Sequence, residues 1–207
     1  MIDTNDNSVV LPKLIKIDNA ISDDLCNYLL NFNDFKEFQE IQEYSTLSKS
    51  YGKVHTKQTF LTTAKEIHFP PLPSNILEDL YLKANKHIYN FDLGDFNLTH
   101  KLLRYNSQNS AYFNWHFDTN PGQIYNSLGY RTYSMIIILN DQFDGGDLTF
   151  RNSRGRVNRF KKITPKTAFI FPSSLEHKVD SVTSGYRTSL ITFLHTKEDL
   201  LSTVDIA

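Results

Sequence analysis

The chain has 207 residues, with 22 Lys plus Arg against 23 Asp plus Glu and 40% hydrophobic residues, enough apolar material at this length to bury one sizeable core. A formal charge of -1 argues against a protein built around general nucleic-acid electrostatics, and Cys26, the single cysteine, excludes an intrachain disulfide. No apolar run nears the roughly 20 residues that span a bilayer, and the start Met1-Ile2-Asp3-Thr4 has neither a basic nor an apolar leader, so one domain over 1–207 in a reducing cytoplasm, with no membrane partner, is the expectation.

Leu11 to Ile17 alternates in the manner of an entering strand. Ser22 is a good N-cap for a helix predicted over 23–33, with Asp23 and Asp24 in its first turn and Leu25, Tyr28, Leu29 and Phe32 at helical spacing. From 35 to 59 the pattern dissolves into polar residues, which reads as a solvated excursion or a substrate-facing loop. Pro70-Pro71-Leu72-Pro73 is punctuation, and Ser74 caps a second predicted helix whose stripe is Ile76, Leu77, Leu80, Tyr81, Ala84, Ile88 and Phe91.

After Gly94 the period drops to two. Phe96, Leu98, His100 and Leu102 face one way, and Asn97, Thr99, Lys101, Leu103 and Tyr105 the other. Ser134 to Leu139 suits a central buried strand, Gly145-Gly146 a turn before Leu148 and Phe150, Thr167 to Phe171 a strand ended by Pro172, and Arg187 to His195 the last strand. Helices followed by many short strands predict a mainly β fold with flanking helices (α+β): helical support and a polar loop over 1–95, and a jelly-roll core over 96–197.

His116 and Asp118 are the first candidates for chemistry, because residues two apart on a strand share a face and can grip one ion together. His177 follows an apolar strand 59 residues after Asp118 and is the candidate third ligand. Two imidazoles and one carboxylate leave adjacent positions open, the arrangement of non-haem Fe(II) oxygenases. Arg187, ten residues on, offers a planar fork for a dicarboxylate cosubstrate, and Ser189 shares its face and can add a hydroxyl.

Taken together, Leu103-Arg104-Tyr105, His116-Phe117-Asp118, Ile138-Leu139-Asn140, Phe143-Asp144-Gly145-Gly146-Asp147-Leu148-Thr149-Phe150, Pro165 to Pro172, His177 and Gly185-Tyr186-Arg187 resemble the Fe(II)- and 2-oxoglutarate-dependent dioxygenases, in particular their prolyl 4-hydroxylase-like group. The resemblance covers the last half of the chain and implies a double-stranded β-helix that binds iron through His116, Asp118 and His177. It implies Arg187 and Tyr105 as contacts for 2-oxoglutarate, dioxygen as the second cosubstrate, and room for ascorbate as an accessory. The implied reaction hydroxylates an unactivated C–H, with a prolyl residue of a peptide or protein as first guess and a free amino acid or small metabolite as the alternative.

For substrate contact the candidates are Arg131, Trp115 and Tyr125, each with a structural alternative: a surface ion pair for Arg131, a core or wall aromatic for Trp115, and membership of a lid over 119–130 for Tyr125. His55, His68, His87, His100 and His195 fit no ligand pattern and read as surface or packed residues. Six cations between Arg151 and Lys162 read as the solvated face of a hairpin. Outside the oxygenases, a non-catalytic jelly-roll binding module with a vestigial site stays open. A zinc hydrolase lacks a general base and gives Arg187 no role.

Overall fold

The computed structural model describes residues 13–31, 40–43, 60–63, 72, 74–119 and 122–204, with backbone alone for 40–43, 60–63, 74, 109 and 126. Leu11, Phe32, His55, His68, Asn120 and Pro121, and all of the 35–59 stretch except 40–43, lie outside these residues.

Helix α1 (Asp23–Leu30) begins where expected, with the Ser22 hydroxyl accepting from the Leu25 N–H at 3.2 Å, but it ends at Leu30, short of the predicted 33. Helix α2 (Ser74–Ile88) buries Leu77, Leu80, Tyr81 and Ala84, whereas Ile76 is exposed, a correction to the predicted stripe. The buried four recur at i, i+3, i+4 and i+7, and Ile76 lies just off that arc.

Both helices pack on one face of a large sheet ordered β1 (Ile15–Ile17), β10 (Ala168–Pro172), β6 (Tyr130–Ile138), β12 (Val182–Thr196), β4 (Phe96–Asn106), with β7 (Phe143–Gly145) on the start of β12. A second sheet runs β5 (Phe113–His116), β11 (Glu176–Val179), β8 (Leu148–Arg151), β9 (Val157–Phe160). A two-stranded pair, β2 (Glu40–Glu43) with β3 (Phe60–Thr63), brings strand structure to part of the stretch read as unpatterned.

Alternation sorts the large sheet into two cores. Leu102, Tyr133, Met135, Ile137, Ile170, Leu190 and Leu194 join Leu29, Leu77 and Tyr81 under the helices. Leu103, Tyr105, Ile136, Ile138, Phe169, Phe171, Ile191 and Phe193 face the second sheet and meet Leu148, Phe150 and Val179 there. That second core is the interior of a double-stranded β-helix, the expected fold.

Several strands outrun their predicted bounds. β6 starts at Tyr130, so Arg131 belongs to a strand and not to the loop before it; β12 starts at Val182, and β10 takes in Pro172. Pairing supplies the reason, since the edge contacts of β12 with β7 and of β6 with the end of β12 extend both elements past the apolar runs. The Arg151–Lys162 run does form a hairpin, β8 to β9.

Candidate metal centre

His116 ends β5 and His177 lies near the start of β11, and the two are directly paired in the antiparallel register. This pairing brings together residues far apart in sequence. Their ring centroids are 4.1 Å apart, and Asp118, just past β5, places Oδ1 3.7 Å from His116 Nε2 and Oδ2 3.6 Å from His177 Nε2. Ligand atoms of all three lie within 4.8 Å of one another, the single such group among the described residues.

Each imidazole is set for coordination by its other nitrogen. His116 Nδ1 is 2.8 Å from the Asn114 carbonyl and His177 Nδ1 is 3.0 Å from the Leu175 carbonyl. A carbonyl only accepts, so both Nδ1 atoms must carry the proton and both Nε2 lone pairs face Asp118. Burial, then the neighbouring His177, drives the His116 pKa down to about 3, which keeps its ring neutral. Burial pushes the Asp118 carboxyl up, but His177, His116, the Ser134 hydroxyl and Arg131 together outweigh it and hold the group below its ordinary value.

The backbone of Asp118 is held from both sides. Its N–H donates to the Ser173 carbonyl at 2.9 Å, while its own carbonyl accepts from the Tyr125 hydroxyl at 2.8 Å and from Arg131 Nη1 at 3.0 Å. The Arg131 guanidinium is sandwiched between the Tyr125 and Phe193 rings, with its central carbon 3.8 and 4.0 Å from their centroids. Arg131 and Tyr125 thus touch the candidate ligand, through its main chain. Trp115 sits on the opposite strand face from His116, with Arg151 4.3 Å and Lys178 5.2 Å from its ring centroid, so it lies outside the barrel.

Deeper in the barrel, Arg187 is 1% exposed and has no carboxylate partner among the described residues. Its Nη1 donates to Ser189 Oγ at 2.7 Å, while Nε and Nη2 have no hydrogen-bond partner among the described residues. Those two nitrogens form one edge of the guanidinium, the edge that binds a carboxylate through two parallel bonds. Burial lowers the Arg187 pKa to about 10, partly opposed by Tyr105, so the group stays cationic at neutral pH. Tyr105 is its direct cross-strand partner, with the guanidinium 5.4 Å from the ring centroid.

Two residues that position this cation carried no role in the sequence reading. Asn140 donates to the Tyr186 carbonyl and accepts from the Thr188 N–H, both at 2.8 Å, bracketing Arg187 along β12. Gly146, at φ +63°, would place a Cβ 2.9 Å from Arg187 Cδ, so glycine both permits the backbone and leaves room for the arginine stem. The Gly145-Gly146 pair was legible as a turn, but nothing in the local sequence announces the side chain it makes way for.

The family model of the 2OG-Fe(II) oxygenase superfamily matches residues 100–195, the segment that holds every group described above. Among solved structures, the fold is similar to a Pseudomonas putida prolyl-4-hydroxylase (15% identity over 90% of this chain and 94% of that one, TM-score 0.63). It is also similar to a Trichoplax adhaerens prolyl hydroxylase in complex with a hypoxia inducible factor oxygen degradation domain peptide fragment (15% identity, 94% and 88% covered, TM-score 0.65). A third is the viral collagen prolyl hydroxylase of Paramecium Bursaria Chlorella virus-1 in its 2OG complex (16% identity, 88% and 95% covered, TM-score 0.58). A search of curated proteins gives no match. Among the described residues, no helix is long and apolar enough to cross a membrane.

Proposed function

We propose that this chain, with its 2OG-Fe(II) oxygenase core over residues 100–195, is a hydroxylase of an unactivated C–H, acting on a prolyl residue of a peptide or protein and releasing succinate and carbon dioxide. The observation that carries the reading is the buried Arg187 edge, unpartnered inside the same barrel that gathers His116, Asp118 and His177. A buried cation without a counter-charge is costly unless a ligand completes it. A dicarboxylate spanning from this edge to a metal does so.

His116 and His177 would hold Fe(II) through Nε2 and Asp118 through its carboxylate, matching the donor set of a facial triad. When bound, iron with 2-oxoglutarate and dioxygen supplies the oxidant, with ascorbate as an accessory reductant. The chain supplies position. The Asn114 and Leu175 carbonyls orient the imidazoles, Arg131 and Tyr125 fix the Asp118 main chain, and Arg187 with Ser189 and Tyr105 would receive the distal carboxylate. Phe150, Phe169 and Phe171 keep water from the interior. The prolyl assignment draws its support from the prolyl hydroxylases among the solved structures of similar fold.

The test is anaerobic addition of Fe(II) and 2-oxoglutarate to the purified protein, read as the visible charge-transfer band of the chelate, followed by air and a succinate assay with proline-containing peptides. A band that bleaches as succinate forms supports the reading; a metal-loaded protein with no band rejects it. Asp118→Ala should abolish Fe(II) binding and turnover together, a loss of at least about a hundredfold.

A further inference from the structure

Lys101 lies on the barrel-facing side of β4, in the same alternating row as Leu103 and Tyr105, and opposite Ile191 of β12. Its Nζ is 5.5 Å from the centroid of Phe193, the interior ring that also carries Arg131. The row therefore runs from Tyr105, beside Arg187, to Lys101, whose neighbour Phe193 stacks on Arg131, the residue that holds the Asp118 main chain. Lys101 is half-buried and makes no ion pair among the described residues.

A second cationic element stands on the other wall. The β8–β9 turn extends directly beyond the Glu176–Arg151 pair, one register step past His177, and so projects from the metal-binding end of the small sheet. Its tip is built by Asn152, whose side chain accepts from the Arg154 and Arg156 N–H groups at 3.1 and 2.9 Å, and both arginine side chains are exposed without ion pairs among the described residues. Glu176, paired across the sheet with the last residue before the turn, is already taken by Arg151. In a chain of net charge -1, two exposed arginines thus stand at the end of the small sheet that carries His116 and His177.

We infer that Lys101 is a specificity-determining residue that receives a carboxylate of the substrate beside the metal. The substrate is then anionic close to the carbon that reacts, through an acidic side chain next to the target residue in a peptide or through the carboxylate of a free amino acid. Arg154 and Arg156 add long-range attraction and no contact specificity. The inference rests on the oxygenase reading, since it takes the interior of the barrel as the place where substrate meets metal.

The experiment is equilibrium binding by calorimetry under argon, to protein loaded with Fe(II) and 2-oxoglutarate and also to protein without them, so that no turnover is needed. The probes are short acetylated, amidated peptides with a central proline flanked by Asp, by Asn or by Lys, alongside free proline and prolinamide. The wild type should bind the Asp-flanked peptide about tenfold tighter than the Asn-flanked one, or free proline about tenfold tighter than prolinamide, the two arms separating the sources of the carboxylate. Lys101→Met should erase that preference, Lys101→Glu should reverse it, and Lys101→Arg should restore most of it. Equal binding of acidic and neutral probes by the wild type, a preference that survives in Lys101→Met, or no binding of any probe overturns the inference. A Lys101-dependent preference in a protein that gives no charge-transfer band leaves Lys101 standing and removes the oxygenase reading.

Discussion

Arg151 and Arg187 present the same guanidinium edge in opposite circumstances. On the outer face of the small sheet, Arg151 Nε and Nη2 reach Glu176 Oε2 and Oε1, both at 2.6 Å, and the pair stays partly in water. Inside the barrel, Arg187 Nε and Nη2 have no hydrogen-bond partner among the described residues, and the residue is 1% exposed. Among the described residues, a carboxylate meets the cation where the pair is structural, and none meets it where desolvation makes the cation most demanding. The two candidate histidine ligands are prepared in another way: their Nδ1 protons are already assigned to backbone carbonyls, so they would need no reorganisation to meet a cation.

Replacing Arg187 gives the largest contrast. Arg187→Met should raise the 2-oxoglutarate concentration needed for the charge-transfer band by about a hundredfold, because a fully desolvated, two-point charge pair is lost. The same variant should unfold no earlier than wild type without ligand, since it removes a buried charge that no acid among the described residues balances. A lowered unfolding midpoint with normal 2-oxoglutarate affinity would mean that Arg187 is a structural residue like Arg151. Arg187→Lys sharpens the point: the charge remains and the fork is lost, so the 2-oxoglutarate requirement should rise about tenfold, between wild type and Met.

His195 is a second buried side chain with an unpartnered nitrogen, and it shows what the fold does when the group can discharge. It is 1% exposed, meets Thr99 Oγ1 through Nε2 at 2.9 Å, leaves Nδ1 without a partner, and sits opposite Arg131. Burial, then Arg131, lowers its pKa from 6.5 to about 4. The unfolded chain therefore takes up a proton that the fold refuses, so this contribution to stability is full above pH 6.5 and is lost as pH falls toward 4. Denaturant unfolding of the ligand-free protein at pH 7 and pH 5 should show a loss of about 1–2 kcal/mol from this residue. His195→Gln should flatten the difference by that amount; an unchanged pH dependence would show that His195 titrates normally.

The elements legible in the sequence were those with local causes. The Ser22 cap, the period-two row of β4 and the apolar run of β6 each write their structure into neighbouring residues. The residues His116, Asp118 and His177 were likewise readable, but their convergence depends on the β5–β11 register, which no local pattern encodes. The same limit hid Gly146 and Asn140, whose importance lies in what they touch on β12, and the extension of β12 back to Val182. Trp115 and Tyr125 were visible as aromatics; strand parity and a hydroxyl aimed at a main-chain carbonyl decide what each contacts.

Arg151 provides the smallest expected effect and the control for the comparison. Its side chain is 36% exposed and that of Glu176 19%, so water screens the pair even though both of its hydrogen bonds are short. Arg151 also covers Trp115, which adds a cation–π contact of about 0.5–1 kcal/mol at such a site. Arg151→Met keeps much of the apolar contact with the indole while deleting the charge, so stability should fall by no more than about 1 kcal/mol. Glu176 directly precedes His177, and its freed carboxylate can turn to solvent without moving the strand, whose register is fixed by β5 and β8. Fe(II) and 2-oxoglutarate affinities should therefore match wild type. A tenfold loss of either would break the comparison, because it would make the outer arginine part of the metal site through the strand they share.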